Sequence, residues 1–116
     1  MNLPRPLLIV LLSLFCSTSH AALPAAPGFS ADIYLPGCKE FIAGRTSFFA
    51  GRCVGVVEVL TALNSDTKLF CAPDGTTTLQ RVRSVVAYLE ARPERTKEDF
   101  RLLANEAMAK TWPCPK

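Results

Sequence analysis

Histidine is almost missing from this 116-residue chain, whose single copy is His20, close to the amino end. One imidazole there cannot serve a Ser-His-Asp or Cys-His catalytic arrangement in the body of the chain, nor a zinc site of the common histidine kind. Short Cys-x-x-Cys pairs are missing too. From Cys38 onward the cysteines stand 15, 18 and 43 residues apart, which argues against a four-cysteine zinc site, so neither a metal nor a cofactor is expected. No block of like charge is present: 13 basic and 10 acidic residues give a net charge of +3. That balance is too weak to predict a nucleic-acid or anionic-membrane partner. Low-complexity segments and internal repeats are absent as well.

What is present begins with an export pattern. Arg5 precedes a nearly unbroken apolar run from Leu7 to Phe15, followed by Ser17-Thr18-Ser19-His20 and by Ala21-Ala22. The run is shorter than the roughly 20 residues of a membrane span, and Ser19-His20-Ala21 supplies a small-x-small cleavage site. Residues 1–21 are read as a signal peptide cleaved after Ala21, which makes the mature protein a secreted one with no membrane attachment. Bulky Phe15 before Cys16 argues against lipidation, so Cys16 and His20 leave with the signal. The mature chain then has no histidine, a net charge of +2 after loss of Arg5, and four cysteines. An even cysteine number in a short secreted domain reads as a disulfide framework of Cys38, Cys53, Cys71 and Cys114.

Residues 22–29 read as an extended leader rich in proline and glycine, and residues 30–116 as one domain. Ser30 is placed to cap a first helix starting at Ala31, with Pro36-Gly37 interrupting it before Cys38–Ala43 resumes. Ser47 to Leu63 is the central helix: Phe49, Cys53, Val56, Val57, Leu60 and Leu63 recur at helical spacing. It is expected to be mostly buried, with Gly51 and Gly55 admitting a neighbouring backbone. Its Gly-x-x-x-Gly spacing also suits a membrane helix, which Arg52 and Glu58 argue against. Asn64 to Lys68 reads as a polar loop and Pro73-Asp74-Gly75 as a tight turn. One of Thr76, Thr77 or Thr78 caps a third helix with Leu79, Val82, Val85, Val86 and Leu89 inward, and Pro93 stops it. Thr96-Lys97-Glu98-Asp99 reads as a capping box for a fourth helix that buries Phe100, Leu103, Ala107 and Met108. The fold class is all-α, a compact bundle of four main helices stapled by two disulfides.

Four cysteines allow three pairings. Ten helical residues after Cys53 span about 15 Å, a distance that Asn64 to Cys71 can return, so Cys53 with Cys71 and Cys38 with Cys114 is favoured. Cys38 with Cys53 and Cys71 with Cys114 stays open as the alternative. Glu98, Asp99 and Glu106 form the one acidic cluster to weigh for catalysis; helix capping accounts for the first two and an exposed face for the third, so no enzyme is predicted. Arg81, Arg83, Arg92, Arg95 and Arg101 alternate with acids and read as a mixed solvated face. Tyr34, Phe41, Phe48 and Trp112 are assigned to the core, one or two of them to a subunit contact.

Cys53-Val54-Gly55-Val56-Val57, Phe70-Cys71-Ala72-Pro73, Gln80 with Val85-Val86-Ala87-Tyr88-Leu89, Glu90-Ala91-Arg92-Pro93 and Trp112-Pro113-Cys114 occur in an order that resembles the Rap/Tai immunity proteins of type VI secretion. Leu35-Pro36-Gly37-Cys38 and Glu98-Asp99-Phe100 resemble uncharacterised bacterial members. The resemblance implies a small helical periplasmic homodimer that binds and occludes a secreted peptidoglycan amidase, an inhibitor needing no catalytic residue. Because loops carry binding more often than scaffold, Asn64, Ser65 and Asp66, with Asp74 and Gly75, are the candidate partner-binding residues. A periplasmic stress or chaperone-like binding protein is the alternative function.

Overall fold

The computed structural model describes residues 25–116; the expected signal peptide and its expected cleavage after Ala21, Cys16, His20 and the first part of the expected leader lie outside the described residues. Four α-helices follow one another: α1 (Ala31–Ile42), α2 (Phe48–Thr67), α3 (Thr78–Glu90) and α4 (Phe100–Thr111), with a 3-10 turn, Pro93–Arg95, between the last two. Among the described residues there is no β-strand, only an isolated bridge between Ser30 and Asp99. The expected four-helix, doubly stapled bundle is present.

Local chemistry explains each boundary, and in three places it departs from the expected one. Helix α1 runs straight through Pro36. The proline lacks an N–H for the Asp32 carbonyl one turn earlier, yet the helix continues because both sides of it are held by packing. Ser30 occupies the N-cap position without a side-chain cap bond. The free amides of Ala31 and Asp32 are satisfied instead by the carbonyls of Glu98 and Thr96, at 2.9 and 2.8 Å. Helix α2 begins at Ser47, whose hydroxyl accepts from the Ala50 amide. It runs to Thr67, so Asn64 to Thr67 is its last turn and no loop. Lys68 then takes the left-handed conformation, φ 52°. Helix α3 is closed by a capping box between Thr77 and Gln80. Helix α4 starts three residues later than expected, because Asp99 itself is the N-cap, accepting from the Arg101 amide.

The core runs between the four helices. Val82, Val85 and Leu89 of α3 and Phe100, Leu103 and Met108 of α4 have no exposed surface, and they meet Tyr34 and Cys38 of α1 and Cys53 and Val57 of α2. Tyr34 stacks on Phe100 with ring centroids 4.5 Å apart. Phe70, also buried, plugs the core from the α2–α3 connection.

The disulfides are Cys38–Cys53 and Cys71–Cys114, the pairing held open as the alternative. The favoured Cys53–Cys71 bond is overturned by the length of α2. Fourteen helical residues from Cys53 to Thr67 climb about 21 Å, and the four residues to Cys71 reach back at most about 14 Å. Cys53 instead faces α1, where Gly37 brings the two helices together: a Cβ built on Gly37 would lie 2.2 Å from the Phe49 carbonyl oxygen. With the helices that close, the Cα atoms of Cys38 and Cys53 are 5.3 Å apart, within bonding range. The second bond ties the α2–α3 connection to the carboxyl tail, alongside a hydrogen bond from the Cys71 amide to the Trp112 carbonyl.

Candidate protein-binding surface

Helix α2 carries apolar residues on more of its circumference than the bundle covers. Only Ala50, Cys53, Val57 and no other residue of α2 is buried, which corrects the expectation of a mostly buried helix. Phe48 is 73% exposed, Val59 58%, Leu63 54% and Phe49 52%. Phe48 is therefore a surface residue and no part of the core, whereas Tyr34 is buried and Phe41 and Trp112 pack half-buried against it. Gly51 and Gly55 open outward, with nothing within 4 Å of a Cβ at either; the helix approach expected at them is made at Gly37. The result is a shallow groove of about 520 Å³ whose floor is Gly51, Gly55 and Val56 and whose rim includes Phe29, Val59 and Leu63.

Both charged residues at this groove are engaged by neighbours. The Arg52 guanidinium lies 4.7 Å over the Tyr34 ring and donates to the Gly28 carbonyl at 3.1 Å and the Tyr34 hydroxyl at 3.2 Å. Arg101 sits 4.3 Å over the Phe29 ring and is paired with Asp99. Helix α2 is long and apolar enough by composition to cross a membrane. Two of its three charged residues nevertheless serve the bundle, Arg52 as above and Glu58 by accepting from the Thr78 hydroxyl, while Asp66 lies exposed in the last turn. Aliphatic and aromatic side chains left in water over several turns of one helix have the composition of protein-binding surfaces.

The loop residues singled out from sequence fall in two places. Asn64 lies on α2, and its amide is a clamp: Nδ2 donates to the Phe70 carbonyl at 2.7 Å, while Oδ1 accepts from the Leu69 and Phe70 amides at 2.8 and 3.1 Å. Ser65 donates back to the Ala62 carbonyl, and Asp66 is exposed beside it. Asn64 and Ser65 line a small cleft with Lys68 and Arg81. Asp74 and Gly75 occupy a separate exposed turn, in which Gly75 has φ +83° and the Thr76 amide donates to the Pro73 carbonyl.

The acidic cluster is held in ion pairs. Arg95 binds Glu98 at 2.7 Å and Glu106 at 2.6 Å, and the Tyr88 hydroxyl donates to Glu106. Hydrogen bonding from Arg95 holds the Glu106 carboxyl below the usual range, and Arg101 does the same for Asp99. Burial, with Glu106 adding to it, pushes the Tyr88 phenol up. A general acid or base near neutral pH needs its affinity moved toward 7; these carboxylates are moved the other way. Among the described residues no group of His, Cys, Asp or Glu is placed to hold a metal ion. Sequence reasoning missed the outward apolar face because helical spacing shows that a residue is on a helix, not which sector has a neighbour. Its one available signal was Val54 and Val59 widening the stripe beyond a single face.

Comparison with known proteins places the chain. Residues 29–114 match the profile of the Rap1a immunity proteins, and the chain belongs to that family. No curated protein and no solved structure matches it.

Proposed function

We propose that this member of the Rap1a immunity protein family acts in the periplasm as a homodimer, binding and occluding a peptidoglycan amidase delivered by type VI secretion. Immunity to a type VI effector is the role the family suggests; the amidase target, the dimer and the compartment are the further steps. The observation that carries the reading is the uncovered apolar face of α2, centred on Phe48, Val59 and Leu63. A bundle that spends this much apolar surface on solvent, and keeps its carboxylates in ion pairs, is built to bind rather than to react. The α2 face supports the subunit contact. Ser65 and Asp66 at one end of α2, with Asp74 and Gly75 in the next turn, remain exposed for the effector; Asn64 positions that end through its clamp on Phe70.

The test uses residues 22–116 with both disulfides formed, offered to periplasmic and secreted fractions and then co-expressed with the captured protein. One stoichiometric amidase, inactive when bound and harmless to cells making both proteins, is the expected result. Many weak clients and no stoichiometric partner would refute it in favour of a chaperone-like role. For the dimer, Phe48→Glu with Leu63→Glu is expected to convert a dimer to a monomer in analytical ultracentrifugation; a wild-type protein already monomeric at high concentration would refute that part.

A further inference from the structure

The arginines of the carboxyl half, read from sequence as one mixed face, are sorted by the fold into two sets. Arg95 and Arg101 are bound to acids. Arg83 and Arg92 are in no ion pair among the described residues, and neither is Lys110. These three cations line one groove of about 610 Å³ between α3 and α4, and no carboxylate lines it. Glu106, beyond Tyr88, is already held by Arg95 and the Tyr88 hydroxyl. The groove's surface between the charges is small and apolar: Ala87 of α3 and Ala91, the C-cap just past its end, lie one turn apart, and Ala107 faces them from α4. From Gln80 to Ala91 the groove follows α3 for about 16 Å, close to three helical turns.

Arg92 is held ready. Its guanidinium stacks 3.7 Å over the Tyr88 ring and donates to the Tyr88 carbonyl at 3.1 Å, so its remaining donors are presented without the rotamer entropy a free arginine would lose on binding. Arg83 and Lys110 are exposed on the two walls. An apolar floor between unpaired cations is complementary to a segment that is apolar along one side and acidic along its edges.

We propose that the α3–α4 groove docks an acidic amphipathic segment of the effector, about three helical turns long, with its carboxylates at Arg83, Arg92 and Lys110. This rests on the immunity reading and adds a second effector contact, distinct from the surface of Ser65, Asp66, Asp74 and Gly75 and from the apolar face of α2. The captured effector is the probe, with binding measured at about 50 and about 500 mM salt, where screening lengths differ severalfold. Arg83→Glu with Lys110→Glu is expected to weaken binding roughly 10- to 100-fold at low salt and much less at high salt. Arg45→Glu with Lys116→Glu makes the same change in net charge elsewhere and is expected to stay within about threefold. Should the groove pair alter folding, Arg83→Gln with Lys110→Gln gives a gentler form of the same test. Chemical cross-linking of the complex locates the effector segment in the groove, and changing an acid of that segment to lysine is expected to restore binding to the Glu pair.

Equal loss in both charge-changed pairs, or no loss in either, would overturn the groove while leaving immunity intact. If the groove pair instead turned a dimer into a monomer without effector present, the occupant would be a second copy and the inference would also fall. A wild-type protein that binds no effector would remove the functional reading itself.

Discussion

Replacing Gly37 by alanine adds one methyl group where α1 passes directly against the backbone of α2. The new Cβ would lie 2.2 Å from the Phe49 carbonyl oxygen and 2.4 Å from its carbon. Neither atom can swing away, since both belong to the backbone of α2, and the adjoining Cys38 is bonded to Cys53. Relief requires α1 and α2 to part by about 1 Å, and a gap of that size forfeits about a quarter to a half of each contact's attraction. Overpacking against a rigid neighbour costs about 3 kcal/mol, from which about 0.5–1 kcal/mol is recovered through the better helix propensity of alanine. A net loss of about 2–2.5 kcal/mol corresponds to a fall in melting temperature of about 8–20 °C for a domain of this size. Thermal unfolding followed by circular dichroism, with both disulfides intact and at a concentration where the wild type is monomeric, measures it. Gly55→Ala is the control, because nothing lies within 4 Å of a Cβ there; it is expected to raise stability by about 0.5–1 kcal/mol. If Gly37→Ala melts within about 2 °C of wild type, the close approach at Phe49 is wrong and so is the account of why Cys38 meets Cys53.

Peptide mapping without reduction is expected to recover Cys38 joined to Cys53 and Cys71 joined to Cys114, and replacing the first pair by alanine should cost about 3 kcal/mol by the loop-closure argument. Asn64→Ala should lower stability by about 1–3 kcal/mol by orphaning the Leu69 and Phe70 amides, seen as a lower urea midpoint, whereas Asp66→Ala should leave that midpoint unmoved. Asp32, Asp99 and Glu106 all have folded-state acidities strengthened by hydrogen bonds from Lys97, Arg101 and Arg95 respectively. Their contribution is present above the unfolded carboxylate range, near about pH 4, and is lost as pH falls through the lower folded values. Urea midpoints flat from about pH 5 to 8 and falling below about pH 4 are expected, and midpoints still flat at about pH 3 would contradict the ion pairs.

Helix α3 and the inner residues of α4 could be read from sequence because their apolar positions serve one purpose, facing the core. The end of α2 could not. Asn64, Ser65, Asp66 and Thr67 are residue types of loops, and only the tertiary clamp of Asn64 on the Phe70 segment shows why the helix continues. That error carried the wrong disulfide with it, since a loop beginning at Asn64 would have shortened the journey from Cys53 to Cys71. Pro36 misled in the same manner: a local breaker was outweighed by Gly37 and Cys38 binding the next turn to α2. The exposed aromatic surface at Phe48 and the sorting of arginines into paired and unpaired sets depend on which faces have neighbours. No local pattern records that.

Each disulfide joins neighbours in the series Cys38, Cys53, Cys71, Cys114: Cys38 to Cys53 and then Cys71 to Cys114. On the proposed export to the periplasm, amino end first, the order of appearance is then the order of bonding. Cys38 and Cys53 can meet before Cys71 has crossed, and Cys71 has only Cys114 left to receive. An oxidant that simply joins thiols as they arrive therefore produces the native pairs, and maturation in an oxidising compartment needs no step in which a wrong bond is broken and remade.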